Sequence, residues 1–439
     1  MVLEEKSLFL PKVLDNNDLL FYFNEKVTEY CKTINAIPIR FVVTETTDKG
    51  YNCELGVLTS NTEFKNDIAG IFEFCKRKYE NQNKFNAVVL VPTGIGAKFG
   101  GHSGDGGAMV RLLASVCDTL ITHPNVVNAA DINEIPDNTL YVEGSVISRL
   151  LMGSVGLLKV RANRILVIIE EHQDKMFHEL AINSVSAARV TLGMNCAGII
   201  KINHGMIMDA FFAKSGRAVG RVKHFERLTK VLDTYKDKFD AVALTSLIEV
   251  PMNYHKDYFT QEMDVNPWGG VEAILTHAVS LKYNIPSAHS PMMTSSEVLN
   301  LDVGIVDPRK AAEVVSTTYL HCILKGLHRS PKIVNLNQDR INSDVLCVED
   351  ISCLVIPEGC LGLPTLAALE QGIHVIVVKE NSNNMKNNLD DLPFKSGQLH
   401  VVNNYLEAVG VMASIKAGVS LETVRRPIEL SKVEELIGE

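Results

Sequence analysis

From Phe85 onward the chain carries eight short apolar runs, AVVLV, TLITH, TLYVEG, RILVII, CAGIIKI, AVALTSLI, ISCLVIP and HVIVVKE. Segments with helical spacing stand between most of them, among them MVRLLASVCD, MFHELAINSVSAARVTLG, GRVKHFERLTKVLDTY, GGVEAILTHAVSLKYN and AAEVVSTTYLHCILKGLH. A strand that is apolar at nearly every position is buried on both faces, and helices on both sides of a parallel sheet are what bury it. The pattern predicts a mostly parallel, Rossmann-like doubly wound α/β fold. Residues 1–84 read differently: a helix in LLFYFNEKVTEYCKTI, two strands joined by the turn Asp48-Lys49-Gly50, then a second amphipathic segment, FKNDIAGIFEFCKRKYE. At 439 residues the chain exceeds one ordinary core. The expected units are an α+β cap (1–84), a main α/β domain with a glycine-rich loop (85–330) and a C-terminal Rossmann-like unit (331–439).

In parallel sheets ligands sit beyond the C-terminal ends of the strands, so residues just after each apolar run are the candidates. The run AVVLV is followed by a loop with seven glycines between Gly94 and Gly107. Bare backbone N–H groups and a helix start converge there, a geometry that suits anions. Thr93, Gly94, Gly96, Lys98, Gly100, Gly101, Ser103 and Gly104 are predicted to bind substrate, and His102 and Asp105 to carry acid–base chemistry. No G-K-[ST] closes the loop and no clean G-x-G-x-x-G runs through it, so nucleotide binding does not follow.

The later strand ends add further groups. His123, Asn125 and Asn128 follow TLITH, while Glu143 and Ser145 follow TLYVEG, where an N-cap serine is the plain structural alternative. Asn203 follows CAGIIKI and precedes a basic loop with Lys214, Arg217 and Arg221. Three cations at a helix start oppose the helix dipole, so this loop is expected to hold an anion. Glu249 follows AVALTSLI; Trp268 and Gly269 open a helix as a possible pocket wall; His289 sits in the proline-bounded loop PSAHSP. Glu358, Gly359, Gly362 and Thr365 repeat the strand, glycine loop, helix arrangement.

That last unit, residues 364–381 with the strand before it, resembles the ligand-binding segment of GT-B glycosyltransferases and nucleotide-sugar epimerases. The resemblance implies a helix N-terminus facing a phosphate, although Gly372-Ile373-His374-Val375 lacks the usual proline. More broadly, VPTGIGAKFGGHSGD, THPNVVNAADI, LYVEGS, NPWGGVEA, DPRKAAEVVS, LKGLHRSP and VIPEGCLGLPTLAALEQG resemble the bacterial domain-of-unknown-function 3326 family over roughly residues 85–415. It implies that the strand-end loops form one constellation and carries no particular reaction with it.

Composition narrows the partners. A net charge of −9 without a basic run argues against nucleic acid. No apolar stretch reaches the roughly 18 residues of a membrane span, and MVLEEKSLFLPKVLD has acids where a signal peptide has bases. Nine cysteines without a C-x-x-C pair read as reduced, buried thiols of a cytoplasmic protein, with Cys360 in its glycine loop as the exception. No H-E-x-x-H or H-x-H appears, so no metal site is expected, and the cofactor is left open. Gly101-His102-Ser103-Gly104-Asp105 is out of register for a nucleophile elbow, which disfavours Ser103 as a nucleophile; Cys360 is disfavoured too.

What remains is a cytosolic enzyme using general acid–base chemistry, as a lyase, hydrolase, isomerase or transferase, on a small anionic metabolite. Lys98, Lys214, Arg217 and Arg221 are the expected anion holders, and a homodimer is the expected assembly. An NAD(P)-dependent oxidoreductase is one alternative. It would want an acidic residue about twenty residues past the glycine loop, where His123 stands. A non-catalytic small-molecule sensor is the other.

Overall fold

The computed structural model describes residues 1–13, 18–60, 70–102, 104–128, 134–260, 265–300, 302–316, 318–336, 344–431 and 433. The fold is mixed α/β, with two parallel sheets and one large antiparallel sheet. The first parallel sheet has six strands in the order Leu399–Val402, His374–Val378, Ile351–Pro357, Asn86–Val89, Thr119–Thr122 and Thr139–Tyr141. The second has four, Ser287–Met292, Ala241–Leu247, Arg164–Glu170 and Asn195–Ile202. All eight apolar runs are strands of these two sheets. Every residue of Ile351–Pro357 is buried, which explains its unbroken apolar pattern. Each fully buried Val, Leu or Ile there contributes about 1.5–3 kcal/mol.

The antiparallel sheet draws on distant parts of the chain. Its order is Ile207–Phe212, Ala218–Lys223, Val2–Pro11, Gly50–Thr59, Ala36–Thr46 and Leu361–Gly362. The hairpin expected across Asp48-Lys49-Gly50 is present, closed by Thr47 N donating to Gly50 O at 2.8 Å. Val2–Pro11, which no apolar run announces, lies between Gly50–Thr59 and Ala218–Lys223. A small three-stranded sheet (Lys332–Asn335, Val155–Leu158 and Val345–Leu346) completes the strands described.

Five local expectations change. His289 lies within the strand Ser287–Met292 and not in a loop between prolines, because Ser287–Met292 pairs along its length with Ala241–Leu247. Asn195–Ile202 is an edge strand with alternate residues exposed, so CAGIIKI is not buried on both faces. The basic segment Lys214–Arg221 does not precede a helix: it is the turn and second strand of a hairpin, with Phe212 opposite Ala218 and Gly216 at φ +81°. The helix begins later, at Phe225, because GRVK is taken into that strand. The segment 311–328 splits into the helices Ala311–Val314 and Leu320–His328. Of the segment 64–80, residues 70–80 hold no helix, and 64–69 lie outside the described residues.

The helix Gly269–Tyr283 is buried almost all round. It crosses the antiparallel sheet at glycine contacts. A Cβ on Gly270 would stand 2.2 Å from Ala218 O, and one on Gly220 would stand 1.9 Å from Val271 Cγ2. Only glycine permits that approach, and it fixes which face of the helix looks toward the parallel sheets. Among the described residues no helix is long and apolar enough to cross a membrane.

Candidate functional site

A cavity of about 190 Å³ opens where the C-terminal edges of the two parallel sheets meet. The six-stranded sheet supplies its strand-end loops: Thr93 and His102 after the first apolar run, His123, Asn125 and Asn128 after the next, Glu143 and Gly144 after the third. The four-stranded sheet supplies His289, Pro291 and Met292 from its strand Ser287–Met292. The helix Gly269–Tyr283 forms a third wall. Its residues Gly269, Glu272, Ala273, Thr276 and His277 share one face by helical spacing. Trp268 lines the cavity beside His255, with ring centroids 5.0 Å apart at an edge-on 63°.

Glu143 is the best-supported group in this wall. It caps the helix Gly144–Leu151, accepting from Ser145 N at 3.0 Å and from Ser145 Oγ. Its other oxygen accepts from Nδ1 of His277. Burial alone would raise this carboxyl; the His277 imidazole and the two Ser145 donors outweigh it and hold the carboxyl below its usual value. Glu143 thus stays charged although buried. By taking Nδ1–H it leaves the lone pair of His277 on Nε2. Gly144 gives this ring room, since a Cβ there would lie 3.2 Å from His277 Cε1.

Two other histidines face the same space. His123 is buried, and its Nε2 accepts from Val91 N at 3.2 Å, so Nδ1 carries the proton. Burial drives it down to about 4, which keeps the ring neutral and a hydrogen-bond donor through Nδ1. His289 is also buried. Its Nε2 lies 2.7 Å from Ser246 Oγ, while Nδ1 lies 3.5 Å from Glu272 Oε2 and has no hydrogen-bond partner among the described residues.

A buried polar chain closes one side of the cavity. His102 Nδ1 lies 2.9 Å from Tyr258 Oη, and that hydroxyl donates to Glu313 Oε1 at 2.8 Å. Lys310, fully buried, donates from Nζ to Tyr258 O at 2.5 Å. Asp105 accepts from His102 N at 3.2 Å, and burial pushes its carboxyl up to about 7. Among the described residues no three His, Cys, Asp or Glu side chains converge closely enough to hold a metal ion.

The remaining predicted residues go elsewhere. Asp105 and Ser145 support the wall through His102 and Glu143, and Asn125 donates to Val91 O and Gly100 O, which ties the glycine loop to its strand. The loop glycines answer mainly to packing. A Cβ on Gly94 (φ +77°) would meet Ala218 O at 2.6 Å, and one on Gly101 would meet Ala97 O at 2.1 Å; Gly96, Gly100 and Gly104 also have positive φ. Ser103 lies outside the described residues. Lys98, Asn203, Lys214, Glu249 and Glu358 are exposed and do not line the cavity.

Arg217 is buried between Glu5 and Glu54, at 3.0 and 2.6 Å, so its charge is spent inside the protein. Arg221 lies in the strand opposite Glu4. Gly359 (φ +71°) makes a turn, and Thr365 Oγ1 donates to Cys360 O at 2.8 Å. No lysine or arginine lines the main cavity among the described residues. Cys360, singled out as the exceptional thiol, is buried like most of the others, and burial pushes its pKa far up; the exposed cysteine is Cys75.

Glu272, Thr276, His277, His255 and Glu313 escaped the strand-end filter because they sit on helices or between them. The signal for the first three was present: polar side chains at helical spacing within GGVEAILTHAVSL, a helix otherwise apolar on every side. A buried polar group there needs a partner or a function.

No solved structure matches the chain. An uncharacterized lipoprotein from Synechococcus sp. is 32% identical over 339 residues, which is 76% of this chain and 91% of that protein. The family profile described as protein of unknown function (DUF3326) matches residues 86–425, a span that holds every residue lining the main cavity. The chain belongs to the DUF3326 family.

Proposed function

We propose that this chain is an enzyme that moves a proton on a small organic molecule bound in the main cavity. The observation that carries this is the pair of buried Glu143 and partly buried His277, whose imidazole keeps a lone pair on Nε2 beside a largely apolar cavity. In that role His277 removes the proton and Glu143 stabilises the imidazolium that forms. His123, neutral with its proton on Nδ1, donates to negative charge building on the substrate. Pairs of this kind contribute about 10²–10⁴-fold to rate.

The wall holds Glu143, Glu272 and Glu313 and, among the described residues, no cation from lysine or arginine. This favours a neutral or cationic substrate with hydroxyl or amino groups over an anion.

The test is incubation of the purified chain in D2O with a mixture of small polar metabolites, followed by mass spectrometry. One component should gain deuterium or be converted, and His277→Gln and Glu143→Gln should each slow that change about a hundredfold or more. Turnover that survives both substitutions removes the pair from the chemistry. A compound that binds tightly and stays unchanged in every sample supports the sensor instead.

A further inference from the structure

A second, smaller chamber lies behind the main cavity. It measures about 110 Å³, and Thr93, His123, Gly144, Ala273 and His277 line both spaces. The partition between them is thin because Gly144 has no side chain and Ala273 only a methyl. His277 therefore presents its ring to two chambers.

The walls of the second chamber differ in chemistry from those of the first. Phe41, Leu90, Ile95, Ile356, Leu361 and Met385 supply most of its surface. Its guanidinium groups are already engaged: Arg217 with Glu5 and Glu54, Arg40 with Glu5. Burial keeps the Cys360 thiol protonated. The chamber thus offers hydrocarbon contact and no uncompensated charge from these groups. Its rim is the segment Cys360–Thr365, the glycine loop whose resemblance implied a phosphate.

We infer that this chamber binds a short, uncharged hydrocarbon group and holds it against the His277 imidazole. A concave apolar space gains from an apolar occupant, whereas a phosphate there would lose its hydration to walls of Phe, Leu, Ile and Met. Occupancy needs no chemistry, so the inference stands or falls apart from the acid–base proposal.

The chain provides its own reporters. Met385 lines only the second chamber, and Met292 and Met293 line only the first. With ¹³C-methyl methionine, the full chain is titrated with 1-hexanol and the methyl signals are followed by NMR. The Met385 signal should shift on titration. Gly362→Leu should fill the chamber: Gly362 has extended backbone at φ −152°, and a Cβ there meets only ordinary contacts, Phe41 O at 3.5 Å and Pro364 Cδ at 3.8 Å.

In that variant 1-hexanol should bind at Met385 at least tenfold more weakly. Leu90→Phe, just past the strand Asn86–Val89, should fill the chamber and weaken binding in the same direction if Gly362→Leu proves unstable. A response at Met292 and Met293 alone, no response at all, or Met385 binding unchanged in both variants overturns the inference.

Discussion

Replacing His277 with leucine takes the Nδ1 donor away from Glu143 and leaves the rest of its setting intact. Glu143 is 4% exposed and keeps both donors of Ser145. Glu170 shows how this protein treats a buried carboxyl with a backbone donor and no imidazole partner. It accepts from Met206 N at 2.9 Å, and burial drives it up to about 7. Glu143 in the variant should move likewise, from below its ordinary value to above it.

Above pH 4.5 the unfolded chain has released this proton while the folded variant still holds it, so stability falls as pH rises toward 7. A rise as large as that of Glu170, from 4.5 to about 7, at about 1.36 kcal/mol per pH unit, costs about 3 kcal/mol near pH 8 and about 1 kcal/mol near pH 5. In the native chain the lowered carboxyl acts the other way: its contribution is present above 4.5 and fades as pH falls through the depressed value. The gap between native and variant therefore widens with pH. Urea unfolding near pH 5 and near pH 8 measures it, and adding Glu143→Leu to His277→Leu should abolish the widening. An equal loss at both pH values refutes the assignment of Glu143 as a buried charge held by His277.

Asp105→Asn should gain stability relative to the native chain as pH rises from about 4 to about 8, because the native carboxyl is held up at about 7 against its ordinary 3.8; parallel urea midpoints across that range would contradict this. Gly101→Ala should cost about 1–3 kcal/mol by forcing a Cβ against Ala97 O, while Gly107→Ala, with nothing within 4 Å, should be near neutral. Thermal denaturation of the two variants side by side decides it. Arg217→Met should cost about 3–5 kcal/mol by leaving Glu5 and Glu54 buried without their shared cation. A loss below about 1 kcal/mol in urea would mean that these carboxylates find other compensation.

The strand-end rule reaches several residues of the cavity wall from sequence. His123 and Glu143 stand just past the ends of parallel strands and His289 lies within one, Ser287–Met292, and the structure brings the three to one space. Seven of the eight strands are legible because burial on both faces writes an unbroken apolar run; CAGIIKI is apolar without that cause, since Asn195–Ile202 is an edge strand with alternate residues exposed. Two things are not legible. Arg217 looked like an anion holder because its neighbours in sequence are Lys214 and Arg221; its actual partners, Glu5 and Glu54, are remote in sequence and meet it only when the antiparallel sheet forms. His277 was passed over because it lies mid-helix. Its partner Glu143 ends a strand on another element, and no local spacing links them. The glycines of the first loop read in sequence as an anion cradle, and contacts with Ala218 and Ala97 account for two of them directly.

The order of strands in the larger parallel sheet bears on how the chain is made. Asn86–Val89 sits inside that sheet, and one of its two neighbours is Ile351–Pro357, with Asn86 opposite Ile351. On the ribosome the early strand must wait, one edge bare, until most of the polypeptide has emerged. Pairings so remote in sequence fold slowly and expose apolar edges meanwhile. A copy cut short before Ile351 would keep the His123 and Glu143 side of the cavity yet lose the strand against which it is built. Such fragments should appear in cells as chaperone clients or inclusion bodies, and slower translation through residues 90–350 should lengthen the exposure.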